Sequence, residues 1–411
     1  MLIGNAIVGQ SGGPTAAINA TLSGVIRGAL ASECVEKIYG MRNGIEGLMN
    51  ERFIDLGDIF SDEDKLLELE QTPAAALGSC RKKLPDPNSG KIDDEEFYKK
   101  LFEILDNNNI KFFFYIGGND SMDTVAKMSI YAEKCNSDIR IMGVPKTIDN
   151  DLALTDHTPG FGSAAKYIAT TVSEIIRDCS VYTVRAVTVV EIMGRDAGWL
   201  TASSAIGRVV NGTAPDYVYL PERSFDMESF FADVERAFEK HPNVVIAVSE
   251  GLRFADGRYV GEGTQSGSTD VFGHKYLAGT GKALELAIKE RFGCKVRSVE
   301  LNLPQRCAGH LLSATDIDES VHIGRSAVEA ATSGVSGEVM VFVREAGDEY
   351  KCSVEHRNAR GIANESRYVP DEFITEGNNN VTDECCKYLL PLIAGEKNIV
   401  YKDGLPKHIV L

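Results

Sequence analysis

The most restrictive feature of the sequence is a recurring order: a short apolar run, a glycine-rich or charged loop, then a helical pattern. Lys111–Ile116 reads KFFFYI and leads into GGNDS and an apolar-periodic stretch near Ser121–Ala132. Asn5–Val8 leads into GQSGGP and a helix predicted over Thr15–Ala31, and Ile139–Val144 runs directly into PKTIDND. Apolar runs of this kind fit strands buried on both faces, and strand–helix alternation builds βαβ units on a parallel sheet. Beyond residue 150 the order continues. Phe161, Ala164, Ala165, Ile168, Val172, Ile175 and Ile176 recur at helical spacing and predict an amphipathic helix over Phe161–Asp178. Further strands are predicted at Ala186–Ile192, Tyr217–Leu220, Val244–Val248, Lys295–Leu301 and Val339–Val343. Helices are predicted at Asp226–Glu239, Gly281–Phe292 and Ile317–Ser333, and residues 255–273 read as a long Gly/Ser/Thr-rich loop. The expected class is α/β, with two doubly wound lobes. Its 411 residues suit two or three domains at roughly 150 residues each.

Composition removes several functions. Sixty acidic against 43 basic residues give a formal charge of −17, which argues against nucleic acid or an anionic membrane as a partner. No apolar run approaches the ~18–20 residues of a membrane span, and the N-terminus has no basic, apolar leader pattern. Nine scattered cysteines without a CxxC pair read as reduced thiols, so a cytoplasmic location is expected. Seven histidines form no HExxH, which argues against a zinc site.

Ligands in parallel sheets bind where loops leave the carboxyl ends of strands. Three such loops carry chemistry. In GQSGGPTAAIN, Gly12 and Gly13 let backbone N–H groups approach a phosphate at a helix N-terminus. The bland alternative is a tight turn before a helix with Pro14 near its first position. YIGGNDSMDT repeats the arrangement at Gly117 and Gly118, with Asp120 or Ser121 as an alternative N-cap. PKTIDND packs Lys146, Thr147, Asp149 and Asp151 into seven residues, a set suited to phosphoryl transfer or, more plainly, to an Asx-turn cluster. On an extended segment Asp149 and Asp151 would face the same side. Two basic sites, Arg81–Lys82–Lys83 and Arg195 in EIMGRDAG, are candidate phosphate clamps in an otherwise acidic chain. AGTGKALE fails the P-loop spacing, which leaves Lys282 as an ordinary helix residue.

Taken in order, GGPTAAIN, LGSCRKK, GGNDS, PKTIDND, MGRDAG, SEG and the QR pair at 305–306 resemble the phosphofructokinases. The resemblance implies a donor lobe over 1–155 plus about 305–350, a sugar-phosphate lobe over 156–304, and an active site in the cleft between them. Residues 351–411 are then a C-terminal extension packing on the lobes. It further implies that Asp149 is the base for the C1 hydroxyl of fructose 6-phosphate, supported by Thr147 and Asp151, with Arg195 stabilising the moving phosphoryl group. Met193 and Gly194 would shape the sugar pocket, Glu250 would bind sugar hydroxyls, and Arg306 would hold the 6-phosphate. Gly12, Gly13 and Arg81 would hold the donor. Arg297 falls where the family supplies an arginine across a subunit interface, which implies a homodimer or homotetramer with shared sites. Mg2+ is the implied cofactor.

Two positions bear on the donor. ATP-using members have glycine where this chain has Lys146 and Asp120, and both variants look like the pyrophosphate-dependent branch. A carboxylate at Asp120 would meet the α-phosphate of ATP; like charges ~4 Å apart repel by about 4 kcal/mol at an effective dielectric near 20. An ATP-dependent enzyme is the alternative. Three departures accompany the resemblance. Asn119 stands at the usual magnesium-binding aspartate, so Asp120 is expected to take that duty. Leu303 replaces a phosphate-contacting His or Tyr. Ala186 replaces a second inter-subunit arginine, with Arg185 one residue off and so on the other strand face.

Overall fold

The computed structural model describes residues 2–262, 279–347, 349–361 and 366–411. The Gly-rich loop predicted at 255–273 lies outside these residues from 263 onward. The fold is α/β with mostly parallel sheets. The first five strands, β1 (Gly4–Gln10), β2 (Val35–Met41), β3 (Phe53–Asp55), β4 (Ile110–Gly117) and β5 (Arg140–Pro145), build one sheet. The next four, β6 (Ala186–Ile192), β7 (Tyr217–Tyr219), β8 (Asn243–Ser249) and β9 (Lys295–Glu300), build a second sheet in the order β7-β8-β6-β9, all parallel. The chain then returns to the first sheet with β10 (Glu338–Arg344), parallel to β5, and β11 (Cys352–Asn358), antiparallel to β10. Its order is β11-β10-β5-β4-β1-β2-β3.

The apolar runs fold as their composition dictates. Phe112, Phe113, Phe114 and Ile116 on β4 are fully buried, between a core on one face of the sheet and a core on the other. Two helices, Ile18–Ala31 and Ala314–Ser333, pack against each other through glycines. A Cβ on Gly24 would stand 2.1 Å from Val321 O, and one on Gly324 2.3 Å from Thr21 O, so any side chain there would force the helices apart.

Three expectations need correction. The first helix starts at Ile18, not Thr15, because Thr15 Oγ1 accepts the Ala17 N–H at 3.2 Å and Gly160 presses against the Thr15 side chain. Pro14 therefore lies outside the helix. The region after 351 does more than pack on the lobes: Cys352–Asn358 is an edge strand of the larger sheet. Cys385, Cys386 and Leu389 enter the core of the second lobe. The pair Asp149/Asp151 is not on an extended segment, since Asn150 turns the chain at φ +55°.

The PKTIDND loop is braced from behind. Thr158 Oγ1 donates to Thr147 O at 2.8 Å, and Thr147 N–H donates to Pro159 O at 3.2 Å. Next to this brace, buried His157 stacks on Phe342 with ring centroids 4.5 Å apart. Its Nδ1 meets Asp156 at 3.0 Å and its Nε2 meets Glu319 at 2.8 Å. Burial opposes a charge on the ring, but the hydrogen bonds and charges of both carboxylates outweigh it and hold the His157 pKa up. Glu319→Gln removes one charge from this buried pair and is expected to lower stability by about 3 kcal/mol. A raised histidine pKa contributes fully below the unfolded value of about 6.5 and fades as pH climbs through the folded pKa. Urea midpoints of wild type and E319Q should therefore differ most at pH 6 and draw together as pH climbs through the raised His157 pKa.

Candidate active site

A cleft of about 460 Å³ opens where the carboxyl ends of β1, β4 and β5 face those of β6 and β8. From the first lobe it is lined by Gly12, Gly13, Arg81, Lys82, Lys83, Asn119, Asp120, Lys146, Thr147, Asp149 and Asp151. Met193, Arg195, Glu250 and Arg306 complete it. Segments far apart in sequence thus converge on one site, as parallel-sheet topology requires.

Lys146 lies at its centre and is 3% exposed. A Cβ on Gly12 would stand 3.0 Å from Lys146 Nζ, and one on Gly118 would stand 4.0 Å away. Gly12 has φ +80°, which also favours glycine. Its N–H donates to Cys80 O at 3.3 Å, and the helix begins six residues later, so Gly12 stands ahead of the helix N-terminus and not at it. The glycine leaves the lysine ammonium open to the cleft. Burial pushes the Lys146 pKa down to about 8; Arg306 and Arg81 push the same way, while Asp149 and Asp151 pull against them.

The two carboxyls are both raised but have different neighbours. Burial raises both Asp149 and Asp151, and Asp149 adds to the rise of Asp151, which reaches about 7. Asp149 faces Lys146, Arg195, the Thr147 hydroxyl and Arg306, each of which favours its ionised form. Asp149 N–H donates to Thr147 Oγ1 at 3.1 Å, and Thr147 Oγ1 stands 3.5 Å from Asp149 Oδ2. The two carboxyls titrate as a pair, and the cations around Asp149 favour its ionised form as the base. Across the cleft, Gly194 N–H donates to Glu250 Oε1 at 3.3 Å. Burial raises the Glu250 pKa to about 8, which keeps this carboxyl able to donate to a hydroxyl at neutral pH. Gly194 has φ +128°, and a Cβ on Gly251 would meet Arg195 O at 1.8 Å; these two glycines let the Arg195 loop nest against the Glu250 turn.

At the mouth, Asp120 forms an ion pair with Lys83 at 3.0 Å and its side chain is 52% exposed. Asn119 Nδ2 lies 3.5 Å from Asp151 Oδ2, while the buried Asn119 Oδ1 has no hydrogen-bond partner among the described residues. An orphaned acceptor beside a carboxylate suits a hard cation, so these residues fit Mg2+.

Of the expected sugar-site residues, Gly194 sits in the backbone beside the lining residues Met193 and Arg195, whereas Arg297 lies away from the cleft. It is exposed on β9, beside Ala186, Lys295 and Tyr182 at the far end of the second sheet. The Arg185 guanidinium lies 5.1 Å from the Phe238 ring centroid, in keeping with its one-residue offset from Ala186. Lys282 pairs with Glu285 at 2.7 Å on the helix Thr280–Phe292 and takes no part in the site. Sequence reading missed Gln305, a buried residue whose Oε1 accepts the Met193 N–H at 3.3 Å and so joins the QR pair to the MGRDAG loop. It also missed Cys80 and Asp196, which line the cleft. Only their positions beside Arg81 and Arg195 could have flagged them.

Two α/β lobes, glycine loops over a buried lysine, and a carboxylate pair facing an arginine define a phosphotransferase cleft. A phosphofructokinase family profile matches residues 5–331. The chain is 39% identical over 408 residues to the pyrophosphate–fructose 6-phosphate 1-phosphotransferase of Halomonas elongata, covering 98% of this chain and 95% of that one. It is 38% identical to the enzyme of the same name from Methylococcus capsulatus, covering 99% and 96%. Among solved structures, the pyrophosphate-dependent phosphofructokinase of Nitrosospira multiformis superposes with a TM-score of 0.88 at 36% identity, covering 99% and 96%. The chain belongs to the phosphofructokinase family.

Proposed function

We infer that this protein transfers a phosphoryl group from pyrophosphate to the C1 hydroxyl of fructose 6-phosphate, reversibly, giving fructose 1,6-bisphosphate and phosphate. The observation that carries this reading is Lys146, a buried ammonium under two glycine loops and next to the Asp149 carboxyl. A compact, highly charged diphosphate matches such a point charge, and the relatives named for that donor support it.

The seven-stranded lobe takes the diphosphate and the four-stranded lobe takes the sugar phosphate. Asp149 accepts the C1 hydroxyl proton as the oxygen attacks phosphorus, and the bridging oxygen leaves with phosphate. Thr147 orients Asp149, and Arg195 holds the equatorial oxygens of the moving group. Gly12, Gly13, Arg81 and Lys146 hold the diphosphate. Met193, Gly194 and Glu250 seat the sugar, and Arg306 takes its 6-phosphate. Mg2+, when bound, neutralises diphosphate oxygens, and Asp120, Asp151 and Asn119 Oδ1 would hold it. Arg297, turned away from its own cleft, serves the site of a second copy in a homodimer or homotetramer. Among the described residues no helix is long and apolar enough to cross a membrane, and we place the enzyme in the cytoplasm.

Initial rates with fructose 6-phosphate and Mg2+, run in parallel with pyrophosphate and with ATP, test the reading. Turnover with pyrophosphate and little with ATP is expected. Turnover with ATP alone would overturn the donor assignment and leave Asp149 as the base.

A further inference from the structure

The family profile ends at residue 331, yet a segment well beyond it touches both loops that carry the chemistry. Ser366 forms an antiparallel bridge with Leu152, and Arg367 N–H donates to Asp151 O at 2.9 Å. The same segment then binds the other lobe. Trp199 Nε1 donates to Arg367 O at 3.2 Å. Val369 N–H donates to Glu222 Oε1 at 2.9 Å, and that oxygen also accepts the Gly198 N–H at 2.8 Å. Gly198 and Trp199 close the loop that begins at Arg195 and open the short helix Trp199–Ser203. The Arg367 guanidinium lies 4.2 Å from the Trp199 ring centroid and donates through Nη2 to the Tyr388 hydroxyl at 2.9 Å. Tyr388 in turn donates to Asp156 Oδ1 at 2.9 Å, five residues after Asp151.

We propose that residues 366–369 form a strap that holds the Asp151 loop of one lobe against the Arg195 loop of the other, with Arg367 and Glu222 as positioning residues for phosphoryl transfer. The inference rests on the functional reading above. Neither residue lines the cleft, so each acts through another group: the Arg367 guanidinium through the Trp199 ring and the Tyr388 hydroxyl, which hold the 367 backbone against Asp151, and Glu222 through the N–H of Gly198. Phosphoryl transfer depends on aligning an acceptor held on one lobe with charges held on the other. A misplacement of about 1 Å costs on the order of a hundredfold in rate. Burial raises the Glu222 carboxyl pKa, and one of its oxygens accepts two N–H groups, so an uncharged amide oxygen can take its place.

Four variants of the full chain test this: R367M, E222L, E222Q and Y388F. Steady-state rates with pyrophosphate and fructose 6-phosphate are expected to show kcat lowered ~10–100-fold in R367M and E222L, with KM for pyrophosphate nearly unchanged. E222Q, which keeps the acceptor, is expected to retain most of kcat. Y388F removes one hydroxyl that touches both Arg367 and Asp156 and leaves the core packing in place, so it covers the case in which a larger change unfolds the chain. Amide exchange supplies a readout apart from activity. In Y388F and R367M, peptides over 149–158 and over 194–203 are expected to lose protection together. Unchanged kcat in folded R367M and E222L, or loss of protection in only one of the two peptides, overturns the strap. A wild-type protein that transfers no phosphoryl group sinks the functional reading, and the paired exchange result still decides the strap.

Discussion

Asp149→Asn is expected to lower kcat with pyrophosphate by about three orders of magnitude while leaving the fold intact. The amide keeps the size of the carboxyl but cannot take the C1 proton. Burial, the largest influence on Asp149, already disfavours its carboxylate. A carboxyl whose folded pKa is raised destabilises the fold at pH values above that pKa, so neutralising it should cost no stability there. The thermal midpoint of D149N at pH 8 should therefore equal or exceed that of wild type. The pH profile supplies a second signature. Asp151 titrates near 7, raised by burial and then by Asp149, and the pair is coupled. Wild-type kcat/KM should fall as pH drops through the raised titration of this carboxyl pair, because protonating the pair removes the base. The residual rate of D149N should lack that acid limb. A variant with wild-type kcat would place the base elsewhere; one with a lowered midpoint would turn the loss into a folding effect.

The site was legible in sequence wherever the determinant was local. PKTIDND, MGRDAG and the glycine loops carry their chemistry in adjacent residues, and the strands before them are apolar enough to be read as buried. β6 falls on the predicted Ala186–Ile192. Local periodicity failed where a distant contact decides the backbone. The run from Thr15 to Ala17 continues the apolar pattern of the first helix, yet Gly160 packs on Thr15 and the chain stays irregular to Ile18. Asn150 is the instructive miss. Strand alternation predicts a shared face for Asp149 and Asp151, whereas Asn150 turns the chain between them, asparagine being among the few side chains that accept a left-handed conformation. The C-terminal strap had no local signal at all. Arg367 meets Asp151 and Trp199, and Val369 meets Glu222, across more than a hundred residues of sequence. Neither a period nor a motif encodes such pairings.

Lys146→Met is expected to reduce kcat/KM for pyrophosphate by more than a hundredfold, about 3 kcal/mol. The sequence alone divides donor choice between Lys146 and Asp120, and the structure weights the two unequally. Asp120 is half exposed at the cleft mouth and already paired with Lys83, so solvent and a countercharge screen it. The repulsion of about 4 kcal/mol estimated for a bare carboxylate near a phosphate is then discounted severalfold. Lys146 is not screened by solvent: it is buried, and Gly12 and Gly118 leave its ammonium as the floor of the donor end. Truncating it leaves Asp149 and Asp151 without their nearest cation, which raises both carboxyls further and opposes an incoming anion. Asp120→Gly should accordingly change ATP use only a few-fold, whereas K146M should nearly abolish pyrophosphate use. Arginine at this position should not restore full activity, because a planar guanidinium fork does not reproduce the compact point charge of the ammonium. The alkaline limb separates charge from packing. The Lys146 pKa lies at about 8 in the free enzyme, lowered first by burial, so wild-type KM for pyrophosphate should rise as pH passes 8. Glu250 titrates in the same range on the sugar side, so the measurement is made at saturating fructose 6-phosphate. K146M should show a high and flat KM for pyrophosphate across that range. A KM that still climbs above pH 8 in K146M would assign the titration to another group and remove Lys146 from donor recognition.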